Sequence, residues 1–171
     1  FLNMTSSARV AALGGTILPI IGSDIQIVGS NPSLINSAMN NSLSLSYVNY
    51  YNDINFGAIQ YGRMFDKIGG FVASVQYNDY GDFYYSDETG VQENTMFSVS
   101  DYVINIGYGR QLNERLSIGI NFKFAGIQYE NNVSCAIASD IAGTYINKAG
   151  WVFSLVAHNI GYEIYNNFQE S

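Results

Sequence analysis

Apolar and polar residues alternate along most of this chain. From Leu116 to Phe124 the order is Leu-Ser-Ile-Gly-Ile-Asn-Phe-Lys-Phe, with Leu116, Ile118, Ile120, Phe122 and Phe124 in one phase and Ser117, Gly119, Asn121 and Lys123 in the other. Successive side chains of a strand point to opposite faces, so this segment has one apolar wall and one polar wall. The same beat predicts seven strands, at 43–51, 54–65, 70–80, 97–111, 115–129, 134–147 and 151–162. Each is long enough to cross a tilted bilayer path, which takes about 9–11 residues.

The phases agree between strands. Phe71, Ala73, Val75 and Tyr77 alternate with Ser74, Gln76 and Asn78; Tyr102, Ile104, Ile106 and Tyr108 alternate with Asp101, Asn105, Gly107 and Gly109. Trp151, Phe153, Leu155 and Ala157 oppose Ser154 and His158. Connections fall into two kinds. Asp66–Gly69, Asn113–Arg115 and Asn147–Gly150 read as tight turns, and between them lie Asn52–Asp53, the long Asp79–Met96 segment, Glu130–Asn132 and the tail after Tyr162. Short and long links alternate, as periplasmic turns and extracellular loops do in a membrane barrel. Aromatics gather near strand ends: Tyr47, Tyr50, Tyr51, Tyr77 and Tyr80 at the loop side, Phe65, Tyr108 and Trp151 at the turn side. They read as two interfacial girdles.

Residues 1–42 differ. Ala8–Thr16 is small and Gly-rich, Pro19 interrupts any central strand, and Asn31 is placed to cap a short helix that Pro32 starts. A compact, partly helical stretch ahead of the strands suits a plug. The reading is therefore an all-β chain: 1–42 as a short N-terminal hatch-like segment, 43–171 as the first strands of an antiparallel transmembrane β-barrel that is incomplete in this chain. Eight strands enclose only their own side chains, so a barrel holding forty leading residues is wider. Phe1 is not a start methionine and the residues after Tyr162 end in a polar run. A cleaved targeting segment before the chain and further strands after it are expected.

Composition narrows the class. Charged residues make up 12%, about half the usual share, and the polar phases carry Ser, Gly, Asn and Ala instead of the Lys, Glu and Thr of a soluble sandwich. Aromatics reach 15%, as girdles require. Mean hydropathy is only +0.03, far below that of a helical membrane protein. A net charge of −7 argues against nucleic acid. Cys135 stands alone, which excludes an internal disulfide, and its phase with Ile137 and Ile141 marks a small outward hydrophobe.

No catalytic set stands out, and no enzyme, cofactor or metal is expected. His158, inward near the loop side, has Asp140 and Asp101 as possible neighbours for a Ser-His-Asp arrangement, but the chain lacks a Gly-x-Ser-x-Gly. Lys123 points inward and is expected to pair with Asp140. Asp101, Asn121, Lys123, Asp140 and His158 together form the expected polar lining. Arg63 shares a phase with Tyr61 and Phe65 and reads as snorkelling to headgroups. Asp79, Asp82, Asp87, Glu88 and Glu93 lack the regular spacing of a calcium loop. Beside them Tyr80, Phe83, Tyr84 and Tyr85 read as a contact surface or a lid over the barrel mouth. Tyr80, Asp82, Phe83, Tyr84, Tyr85, Asp87 and Glu88 are the expected partner-binding loop.

Several stretches carry a resemblance. Phe1–Met4, Ser7–Gly15 and Asn31–Leu34, then Tyr80–Phe83, Asp87–Gly90, Phe97–Tyr102, Gly107–Arg110, Leu116–Phe124, Asp140–Tyr145 and His158–Tyr162, in this order and spacing, resemble the PorQ family. That family comprises outer-membrane components of the type IX secretion system of Bacteroidota and is similar to the FadL family of hydrophobic-compound channels, whose barrels hold an N-terminal hatch. The resemblance covers nearly the whole chain and implies a FadL-like barrel in the bacterial outer membrane, with Arg9, Asn31 and Pro32 as hatch-motif residues. Members of the family are longer, so this chain corresponds to their N-terminal half. The implied role is non-enzymatic: an anchor of the cell-surface attachment complex, with PorZ-like, PorU-like and PorV-like partners, contacting outer-membrane lipid and lipopolysaccharide. The alternative implied by the same resemblance is a FadL-like channel for hydrophobic small molecules.

Overall fold

A computed structural model describes residues 7–12, 21–50, 54–86, 92–130 and 132–167; of residues 8, 9, 86 and 92–95 it gives the backbone alone. Seven strands form one antiparallel sheet in chain order: β1 (Ser42–Asn49), β2 (Asn55–Phe65), β3 (Gly69–Ser86), β4 (Gln92–Gln111), β5 (Leu116–Tyr129), β6 (Asn132–Ile146) and β7 (Val152–Asn166). Every strand expected from the alternation is present. The sheet is open, with β1 and β7 at its two edges. Among the described residues no helix is long and apolar enough to cross a membrane.

The tight turns follow from their sequence. The Asn113 carboxamide oxygen accepts from the backbone N–H of Arg115 and Leu116, both at 2.9 Å, and Asn147 accepts from Ala149 and Trp151 at the same distance. An Asn side chain thus copies a backbone turn, which fixes the register of the β4–β5 and β6–β7 hairpins.

Two expectations change. Asp79–Met96, read as a loop, is largely strand: β3 and β4 stay paired from Asp79↔Ser100 out to Ser86↔Gln92. On one side β2 stops at Asn55↔Asp79 and on the other β5 stops at Val99↔Tyr129, so the hairpin projects past its neighbours. Cross-strand aromatics hold it there, with Phe83 stacked on Phe97 at 5.6 Å. The tail after Tyr162 is likewise strand as far as Asn166.

The register shifts at four places, Asp79/Asp82 and Tyr84/Ser86 of β3 and Cys135/Ala136 and Ser139/Ile141 of β6, and two of these β-bulges shape the inner face. One lies between Asp79 and Asp82, where Gly81 takes φ +76°; the other lies opposite Asp140, where Asn159 takes φ +53°. Each inserts one extra residue and reverses which side chains face which side. Gly and Asn are the residue types that tolerate positive φ.

The N-terminal segment covers one face of the sheet, here called the inner face. Its described residues form α1 (Ala8–Ala12) and three 3₁₀ turns, Ile25–Gly29, Pro32–Leu34 and Ser37–Met39. Asn31 caps the second turn as expected, accepting from the Ser33 N–H at 3.1 Å with Pro32 in the first position. Asp24 and Asn36 cap the other two in the same way. The core lies between this segment and the sheet: Val10, Ile25, Ile27, Val28, Leu34, Ile35 and Met39 pack with Val72 of β3. Residues 7–12 and 21–41 thus depend on the strands for burial.

Candidate functional site

Inner-face residues come from the polar phase of each strand. At the centre Lys123 (β5) meets Asp140 (β6), with Nζ 2.6 Å from Oδ2 and side chains 5% and 0% exposed. This is the pairing expected from phase. A buried ion pair offsets its desolvation only where further hydrogen bonds satisfy its charged groups, and both oxygens of Asp140 are bonded here. The bulged Asn159 donates its backbone N–H to Asp140 Oδ1 at 2.8 Å, and its side-chain oxygen accepts from Lys123 at 3.2 Å. Asn121 adds a third donor to Asp140 at 3.3 Å. Nδ1 of His158 lies 3.5 Å from Asp140 Oδ1. Among the described residues Nε2 of His158 has no hydrogen-bond partner, and none of their hydroxyls completes the Ser-His-Asp arrangement considered from sequence.

Asn121 also fastens the N-terminal segment, donating to the carbonyls of Val28 and Gly29 at 3.0 and 3.3 Å. Ser33, Thr144 and Ser154 form a hydroxyl chain with steps of 2.7 and 2.6 Å, and Gln26 donates to Ser44 and Ser46 of β1. Glycines on β2, β4 and β5 provide room for the segment. A Cβ at Gly109 would lie 2.5 Å from the Pro32 carbonyl oxygen and 2.7 Å from Ile35 Cβ, and one at Gly119 would strike Pro32 and Ser33. Asn31 and Pro32 are therefore at the seat of this segment, 1% exposed in the case of Asn31. The backbone of Arg9 lies in α1; its side chain lies outside the described residues.

Nearer the loop end, Asp101 is 1% exposed and accepts from Asn78 Nδ2 at 2.6 Å and from the Tyr80 hydroxyl at 2.7 Å. This corrects the sequence reading of Tyr80, which is an inner-face residue and belongs neither to the girdle nor to an exposed loop. Its phase matches Asn78, ahead of the bulge. Past the bulge, Phe83 and Tyr85 turn to the inner face and Tyr84 and Asp82 to the other. Phe97 joins Phe83, Tyr85 and Tyr129 in one aromatic group, with ring centroids 5.6, 4.9 and 4.9 Å from its own. Tyr80, Phe83, Phe97, Val99, Asp101, Ile127 and Tyr129 line an open hollow of about 470 Å³. Asp82 and Tyr84 are exposed, and Asp87 and Glu88 lie outside the described residues.

The expected partner residues are thus divided between two faces of one hairpin. Phe97, Tyr129 and Asn159 were not singled out from sequence; the signal that could have found them is the positive-φ-tolerant residue (Gly81, Asn159) at which the apolar phase changes. The outer face is apolar on every strand: Leu45, Ile59, Val75, Ile106, Phe122, Ile141 and Leu155 are 44–82% exposed. Arg63 lies on it with its guanidinium 5.8 Å from the Phe65 ring. No family model and no curated protein matches this chain.

Proposed function

We propose that this chain forms part of the wall of a FadL-like β-barrel in the bacterial outer membrane and serves, as PorQ-like proteins do, as a non-enzymatic anchor for the type IX attachment complex. The observation that carries the membrane assignment is the outer face. Exposed apolar residues run across seven adjacent strands, where the largest apolar patch of a soluble monomer is about 300–600 Å². Lipid is the solvent that removes this cost.

The open edges support a larger barrel. In a seven-strand antiparallel meander β1 and β7 run in the same direction, so they cannot close on each other in antiparallel pairing. Closure calls for an odd number of added strands, in keeping with the even totals of bacterial barrels. The role of anchor is supported by the β3–β4 hairpin, which rises beyond its neighbours and presents Asp82 and Tyr84 outward. PorZ-like, PorU-like and PorV-like proteins are the proposed partners. The alternative, a FadL-like channel, draws on one observation: a plug-like segment seated on the polar inner face.

Two measurements test the proposal. The protein should sediment with the outer membrane and resist alkaline extraction; recovery in the soluble fraction refutes the membrane assignment. Removing residues 82–96 should abolish co-purification of a PorZ-like partner while leaving membrane insertion intact; unchanged recovery refutes anchoring through this hairpin.

A further inference from the structure

We propose that the aromatic hollow at the loop end binds an organic cation, presented as the lysine or arginine side chain of a partner protein. Three observations converge on it. The hollow of about 470 Å³ is walled by the rings of Tyr80, Phe83, Phe97 and Tyr129. Aromatic faces attract ammonium and guanidinium groups within about 6 Å, most strongly where water is excluded. The carboxylate of Asp101 forms part of the same wall, and its two bonded neighbours, Asn78 and Tyr80, are neutral donors. Among the described residues no cation lies within ion-pairing distance of Asp101, so the buried Asp101 carboxyl faces the hollow with neutral donors as its bonded neighbours.

The third observation is the division of charge along the strands. Arg63, Lys67, Arg110, Arg115 and Lys148 all fall at the turn end, and Lys123 is consumed by Asp140. The loop end carries Asp79, Asp82, Asp101, Glu130 and Glu163, and no described Lys or Arg side chain. A basic segment approaching this end meets attraction from the rim before it reaches the rings. The Gly81 bulge makes the arrangement possible, because without it Phe83 would share the outer phase of Val75 and Tyr77.

The inference names the chemistry of the partner contact and rests on the anchoring proposal only for which end of the molecule meets the partner. Its test needs no partner. The intact protein in detergent micelles is titrated calorimetrically with the peptide acetyl-Gly-Arg-Gly-Lys-Gly-amide and with the same peptide carrying citrulline and norleucine in place of arginine and lysine. The basic peptide should bind at least about tenfold more tightly than its neutral counterpart. Asp101→Asn should erase most of that difference, and Tyr129→Leu, at the exposed rim, should weaken the basic peptide about threefold or more with the fold unchanged. Equal binding of the two peptides overturns the proposal, as does parental affinity in both variants. If Asp101→Asn does not fold, Tyr129→Leu and the peptide pair decide. Choline binding as tightly as the basic peptide overturns the partner-side-chain source and assigns the hollow to a small free cation. Failure of the peptides with normal membrane insertion and partner recovery removes this inference alone; loss of those two with peptide binding intact removes the anchoring proposal alone.

Discussion

Replacing Phe122 by arginine separates lipid from water as the medium of the outer face. Phe122 lies in the middle of β5, between Ile106 of β4 and Ser139 of β6, and is 58% exposed. In water the exchange is a surface substitution and changes stability by about 0.5 kcal/mol or less. In a bilayer two costs add. The exposed part of the ring gives up about 1–1.5 kcal/mol of apolar transfer, taking about 1.5–3 kcal/mol for a whole side chain. Arginine facing lipid near the midplane costs about 2–4 kcal/mol more.

The sum, about 3–5 kcal/mol, is a large share of the roughly 5–15 kcal/mol that holds a domain folded. The assay is refolding into phospholipid vesicles followed by urea titration, read by Trp151 fluorescence and by the mobility shift of the folded form on unheated gels. Leu112→Arg serves as control, since Leu112 is 51% exposed but lies in the turn after β4, outside the strands. A Phe122→Arg protein as stable as its Leu112→Arg counterpart would refute the lipid-facing assignment, and with it the barrel.

Three further outcomes follow from the inner face. Lys123→Met should destabilise by about 3–5 kcal/mol by stranding Asp140, and adding Asp140→Leu should recover much of the loss; equal instability of single and double variants in urea titrations argues against the buried pair. Gly119→Ala drives a methyl into Pro32 and should cost about 1–3 kcal/mol and expose residues 21–41 to protease, whereas Gly57→Ala, with nothing within 4 Å of its Cβ, should not; identical digestion patterns would contradict the seat. Gly81→Val places a β-branched residue at φ +76° and should cost about 1–2 kcal/mol and loosen the hairpin; amide exchange at Phe83 and Phe97 reports it, and parental protection there would oppose the bulge.

Much of the sheet was legible because one physical rule, an apolar face opposite a polar one, governs each strand between its bulges. Lys123 and Asp140 could be paired in advance for the same reason: each sits in the polar phase of its strand, and register brings Lys123 opposite Ala138, one inward position from Asp140. The 3₁₀ turn at Pro32 was legible from Asn31 and Pro32 alone, since a cap is a local bond. Legibility fails where two rules meet. Asp79-Asp82 and Gly81 read as loop residues, yet Phe83, Tyr84 and Tyr85 favour a strand, and pairing with β4 decides the contest through rings that are distant in sequence.

The bulges explain why the chemistry was harder to read than the fold. A strict two-residue beat would carry Ile160 and Tyr162 onto the inner face with His158, and Phe83 and Tyr85 onto the outer face with Val75. One inserted residue at Asn159 keeps Ile160 and Tyr162 on the apolar side and points a backbone N–H at Asp140. One inserted residue near Gly81 takes Phe83 and Tyr85 inward to Phe97. Each bulge serves both faces at once: it preserves the apolar outer face or the projecting hairpin on one side and builds a polar network or an aromatic hollow on the other. A sheet that is uniformly apolar on one face and specific on the other needs such a change of phase wherever a strict two-residue beat would put an apolar residue among buried charges.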